Sequence, residues 1–276
     1  MRYAFIGCEV LLREFYLLAA RAESILDPVI LPQGLHNTPP ELRARVQQEI
    51  DRLDGGPEHL LYEERDVLPL PRFDAILLGY ALCSNGVVGL TARRTPLVIP
   101  RGHDCITLLL GSKEAYRDYF DSHRGIYWYS AGWIERTLQP GRARREMTRN
   151  YYLEKYGEDN ADYLMEMEQS WYQEYNWATY LNWGLPTVER DRAYTRDCAD
   201  FLGWRYDEIA CDQTLFRDFL NGHWDEERFL VIPPGECIEP SHDPTILKSC
   251  AGCDCHGAAQ MDACDFTASN TPLRRH

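Results

Sequence analysis

Short, unbroken apolar runs alternate with amphipathic stretches through the first 130 residues, and this alternation constrains the fold more than any other feature. Tyr3-Ala4-Phe5-Ile6, Ala75-Ile76-Leu77-Leu78 and Leu97-Val98-Ile99 contain no charged side chain. A strand with one wet face alternates polar and apolar residues. A strand apolar throughout is covered on both faces, as in a parallel sheet between helical layers. Between these runs the apolar spacing turns helical. Leu11, Leu12, Phe15, Leu18 and Ala19 share one side of residues 9–24, and Leu42, Val46, Ile50 and Leu53 repeat the pattern. Thr38-Pro39-Pro40-Glu41 starts that second helix and Asp54-Gly55-Gly56 stops it.

Strands are predicted at residues 2–7, 28–31, 74–79, 97–99 and 126–129, with a helix over 105–120. Strands alternating with helices, joined by right-handed crossovers, predict a mostly parallel, Rossmann-like three-layer α/β sheet. Residues 132–203 break the pattern. They are rich in Tyr and Trp and predict a helical insertion, with helices at 144–156 and 161–180. Strand, helix and strand return at 205–210, 212–220 and 229–232. The expected organisation is an α/β domain over 1–238, containing that insertion, and an irregular Cys-rich tail over 239–276. Neither GxGxxG nor GxxxxGK[ST] occurs, so nucleotide phosphate binding of those two kinds has no support.

Three of the ten cysteines stand where the apolar strands end. Cys8 follows the first, Cys83 the third and Cys105 the fourth. Open α/β sheets bind ligands along the carboxyl edge of their strands. Thiols converging there, with His103 and, as a further candidate, His36 beside them, suit zinc or an iron–sulfur cluster. The competing reading is a set of small buried hydrophobes. His103-Asp104-Cys105 is the densest of these segments: Asp104 either orients a ligating imidazole or caps the helix that follows. A thiol at that helix start is a candidate catalytic group. Ser84-Asn85-Gly86 forms a turn whose amides suit an anion. Arg101 suits an anionic substrate, and Trp128 a pocket wall. A second cluster lies in the tail, as Cys250, Cys253, Cys255 and His256, then Cys264. Its C-x-x-C spacing fits a metal site or a redox dithiol.

The formal net charge is −14, from 43 acidic and 29 basic residues. That balance opposes binding to phosphate backbones or anionic membranes. No stretch of about 18 apolar residues exists to span a bilayer, and no secretory signal pattern opens the chain. A cytoplasmic protein is expected, and ten thiols there point away from a disulfide framework.

Leu78-Gly79-Tyr80-Ala81-Leu82-Cys83-Ser84-Asn85-Gly86, Pro100-Arg101-Gly102-His103-Asp104-Cys105 and Ile126-Tyr127-Trp128-Tyr129 resemble a family catalogued as domain of unknown function 1638. The resemblance runs from Cys8 to about Pro233. Members are often encoded beside corrinoid-dependent methyltransferases, which implies one-carbon metabolism and a corrinoid reached only through a partner. The leading expectation is a metal-dependent enzyme acting on a small molecule. Cys8, Cys83, Cys105 and His103 would hold the metal, which activates a thiol or substrate, as in methyl transfer. A [4Fe–4S] protein with one open iron, and a non-catalytic metal- or corrinoid-binding accessory protein, stay open. A homo-oligomer is compatible with the aromatic insertion.

Overall fold

The computed structural model describes residues 1–55 and 72–251. In chain order the elements are β1 (Arg2–Cys8), α1 (Leu12–Ala19), β2 (Ile25–Leu31), α2 (Pro39–Asp54), β3 (Ala75–Gly79), β4 (Leu97–Pro100), α3 (Ile106–Leu110), α4 (Lys113–Ser122) and β5 (Ile126–Tyr129). Then come α5 (Ala131–Arg136), α6 (Arg142–Tyr156), α7 (Glu158–Gln169), β6 (Trp177–Asn182), α8 (Val188–Leu202), β7 (Arg205–Ala210), α9 (Thr214–Asn221), β8 (Phe229–Ile232), β9 (Glu236–Pro240) and β10 (Leu247–Ala251). The result is a mixed α/β fold with a mostly parallel central sheet.

The chain divides into two compact units. The first comprises Met1–Cys8, Leu18–Leu108 and Phe216–His276; the second comprises Glu9–Leu17 and Leu109–Leu215. The first unit holds the five-stranded sheet, in the order β2-β1-β3-β4-β8. Its first four strands are parallel, and β8 closes the edge antiparallel to β4. Every residue of β3 and β4 is buried, as their unbroken apolar runs require. Each large apolar side chain so covered contributes about 1.5–3 kcal/mol. Gly7 and Gly79 face each other across β1 and β3, and the Phe5 ring lies against both. A Cβ added to either would come within 2.3 or 2.4 Å of that ring.

The second unit holds a parallel sheet in the order β5-β6-β7. Its core is aromatic: Tyr127, Tyr129, Tyr180 and Trp204 pack with Ala178, Cys198 and Ala199.

Several expectations are corrected. The predicted fifth strand forms, but it belongs to this separate sheet and not to the one carrying β1, β3 and β4. Residues 161–180 are not one helix. α7 ends at Gln169, a 3-10 turn follows, and β6 begins at Trp177. Aromatic residues at 172, 175, 177 and 180 satisfy neither period cleanly, and pairing with β5 and β7 decides for strand. The helix over 105–120 is two helices, interrupted at Gly111 with φ +94°. The helix over 9–24 ends at Ala19 and begins with a 3-10 turn. The tail is regular as far as Ala251, because β9 and β10 form an antiparallel hairpin.

Candidate functional site

Strand order alone creates a special place in the five-stranded sheet. From β1 the chain passes to β2 on one side, then returns to β3 on the other. The strand order thus reverses between β1 and β3, and sheets of this order take ligands at the carboxyl ends of the strands on either side of such a reversal. Cys8 is the last residue of β1, and Cys83 lies four residues past β3. The β3 and β4 segments keep pairing beyond the strands, through Leu82 N–H to the Gly102 carbonyl (3.0 Å) and Cys83 N–H to the His103 carbonyl (2.9 Å). This pairing carries Cys105 alongside Cys83.

The three thiols lie near enough to the Tyr80 hydroxyl to act on its charge. Cys8, Cys83 and Cys105 are 1%, 7% and 6% exposed, and Tyr80 is 1% exposed. Among the described residues the Tyr80 hydroxyl has no hydrogen-bond partner. Burial, and then the proximity of Cys8, Cys83 and Cys105, pushes its pKa well up. The thiols act on one another in the same way. Burial first, with Asp104 and Cys8 adding to it, pushes Cys83 up to about 12. Cys105 is raised by burial, then by Cys83, Asp104 and Cys8. Without a metal, Cys83 and Cys105 are therefore held as neutral thiols. The Ala81 N–H points at the Cys83 sulfur at 3.4 Å, and the Cys105 N–H also bonds to it.

His36 comes from the 3-10 turn after β2 and places Nε2 3.3 Å from the Cys8 sulfur. Its ring meets the Tyr80 ring edge-on, with centroids 6.0 Å apart. Burial lowers its pKa, which favours neutral imidazole.

Cys83, Ser84 and Asn85 have φ of 46°, 54° and 64°, three successive non-glycine residues in the left-handed region. Each costs roughly 1–2 kcal/mol, and such strain gathers at functional sites. Gly86 N–H closes the turn on the Cys83 carbonyl at 3.0 Å, and Arg43 Nη2 holds the Asn85 carbonyl at 3.0 Å. Gly86 is tight against Leu42, where an added Cβ would approach to 2.6 Å.

The other predicted residues are placed differently. The His103 side chain is exposed, and the residue contributes its carbonyl to the pairing just described. Asp104 Oδ1 accepts from the Ile106 N–H at 3.0 Å at the start of α3, the capping arrangement, while still acting on Cys83 and Cys105. Ser84 and Asn85 are exposed at the turn. The Arg101 guanidinium donates to the carbonyls of Glu226, Phe229, Thr245 and Leu247, so it ties chain segments together. Trp128 belongs to the second unit, packed against Tyr116 and Tyr119. Cys250 lies in β10. Cys253, Cys255, His256 and Cys264 lie outside the described residues. Tyr80 escaped the sequence reading. Its signal was a hydroxyl-bearing residue directly after an otherwise apolar strand.

The donor set of three thiols and one imidazole suits a soft metal, and an unpartnered buried hydroxyl suits a group bound beside it. The spacing fits less well. Among the described residues no three or more Cys, His, Asp or Glu side chains are gathered closely enough to hold one metal ion. No helix among them is long and apolar enough to cross a membrane.

No curated protein and no solved structure matches the chain. A family model described as "Protein of unknown function (DUF1638)" matches residues 30–220, which include His36, Tyr80, Cys83 and Cys105 but not Cys8. That match covers well over half of the sequence, and the chain belongs to this family.

Proposed function

We propose that this protein is a metal-dependent enzyme whose soft metal, zinc or a [4Fe–4S] cluster, is held by Cys8, Cys83 and Cys105 with His36 at the strand ends. The observation that carries the reading is three buried thiols from the ends of three adjacent parallel strands, near one unpartnered buried tyrosine hydroxyl. On this reading the layers are Rossmann-like and the site lies at the switch point. Thiols with raised pKa values are poor nucleophiles in the metal-free chain, which favours ligation over direct thiol catalysis. Binding requires the thiols to shed protons and draw together. The bound metal would supply a Lewis acid, or a lowered pKa for a coordinated thiol or water. The chain's own part is to exclude water, to hold the Cys8 sulfur against His36 and to offer the Tyr80 hydroxyl to a bound substrate. A small one-carbon donor, a corrinoid methyltransferase partner and a cytoplasmic setting complete the reading, and these rest on the family resemblance and composition.

Anaerobically purified protein decides between the metals. Broad absorbance near ~400 nm with iron and sulfide supports the cluster, and colourless protein with stoichiometric zinc supports zinc. Metal lost on Cys83→Ala but kept on truncation after Glu239 supports the strand-end site. Absence of both metals overturns the reading. The Cys8–His36 contact then favours a second one, a thiol centre in which His36 takes the Cys8 proton. In that case iodoacetamide labels Cys8, and His36→Ala slows the labelling.

A further inference from the structure

We infer that Cys237 and Cys250 form a redox-active dithiol that closes to a disulfide by exchange with a low-molecular-weight disulfide such as oxidised glutathione. The two residues are directly opposed in the β9–β10 hairpin. Opposed residues of an antiparallel pair point to the same face with Cβ atoms about 4.5–5.5 Å apart. A disulfide needs about 3.5–4.5 Å, so closure asks for a small movement. The next pair on that face confirms that side chains meet across the strands, since Lys248 Nζ lies 3.4 Å from Glu239 Oε2. Neither cysteine is in a disulfide.

Their exposures set the order of events. Cys250 is half-buried and reachable, whereas Cys237 is 3% exposed. The Cys250 thiolate attacks one glutathione sulfur, breaking that S–S bond and releasing one glutathione thiolate. Cys237 then attacks the Cys250 sulfur of the mixed disulfide and releases the second glutathione. Two protein thiols are oxidised, one small disulfide is reduced, and the two cysteine protons end on the two glutathiones. The cross-link opens again by the same exchange run backwards with excess glutathione thiol. It also fixes β10 to the strand that anchors the stretch leading away from Cys83: Gly89 N–H donates to the Ile238 carbonyl at 2.8 Å, Ile238 N–H to the Leu90 carbonyl at 3.1 Å, and Thr91 bridges to Cys237.

The test equilibrates the full chain with mixtures of reduced and oxidised glutathione, then maps its peptides by mass. The expected product is a Cys237–Cys250 linked pair, lighter than the reduced peptides by two hydrogens, and reversed by excess reduced glutathione. Cys237→Ser should abolish the link and leave Cys250 as a persistent glutathione adduct. Cys250→Ser should leave Cys237 unmodified. Linkage of Cys250 to Cys253, Cys255 or Cys264 in place of Cys237 overturns the inference. So does a Cys237 that stays unlinked while Cys250 is fully glutathionylated.

Discussion

Tyr80 and Glu14 share a liability: each is 1% exposed and carries polar oxygen with no hydrogen-bond partner among the described residues. A buried hydroxyl left unpaired costs about 1–3 kcal/mol. Tyr80→Phe is therefore expected to stabilise the metal-free chain by about 1 kcal/mol, read as a higher urea midpoint at unchanged slope. A lower midpoint would show that the hydroxyl is satisfied in solution. Glu14 is held in a different environment. Burial first, with Glu135 and Asp191 adding to it against Arg13, raises its pKa from 4.5 to about 7. Between about pH 4.5 and 7 the folded state keeps a proton that the unfolded state has lost, so the stability of the neutral form is fully present only below about pH 4.5. That stability is lost as pH rises through about 7. Glu14→Gln, which removes the charge, should gain on the native chain by roughly 3 kcal/mol between about pH 4 and pH 8. Denaturant titrations at the two pH values check this, and a gap that does not widen with pH would refute it. Neither group announces itself in sequence: Glu14 reads as an ordinary exposed position on an amphipathic helix, and only packing seals it.

Elements were legible where hydrophobic pattern and stop signals agreed. The strands β1, β3 and β4 and the helix α2 fall within a residue or two of expectation, because an all-apolar run bounded by Gly or Pro admits few alternatives. The failures are elements whose type depends on a neighbour. β6 becomes a strand by pairing with β5 and β7, and β10 by pairing with β9, while the local pattern of each is ambiguous. The α3–α4 break is a backbone event that composition hides. At Gly111 φ is +94°, and an added Cβ would approach the Asp212 carbonyl oxygen to 2.4 Å. Gly111→Ala should destabilise the protein by about 1–3 kcal/mol through that strain and contact. Thermal unfolding followed by far-UV circular dichroism checks it, and an unchanged midpoint would mean that the turn adopts another conformation.

At the scale of the whole molecule, each compact unit is assembled from separated stretches of chain. The second unit uses Glu9–Leu17 together with Leu109–Leu215. Within it Arg13 pairs with Glu135 at 2.6 Å, and Gly132 lies so close to the Val10 carbonyl that an added Cβ would come within 1.8 Å. A fragment of residues 109–215 lacks both contacts. It should unfold at a lower temperature and less cooperatively than the intact chain, and recover in part when a peptide of residues 9–17 is added. A fragment that melts as sharply as the full chain would show the segment to be dispensable.

By itself the sequence determined the strand-helix alternation, the burial of the central strands and the positions of Cys8, Cys83 and Cys105 at strand ends. Those follow from local period and from the need to cover apolar faces. Only the tertiary structure decided which strands are neighbours, and hence that β5 leaves the main sheet and that the strand order reverses between β1 and β3. It also chose His36 over His103 as the imidazole beside a thiol, buried Tyr80 near the strand-end cysteines and set Cys237 opposite Cys250. Strand order and register come from contacts between residues far apart in the chain, and no local pattern encodes them.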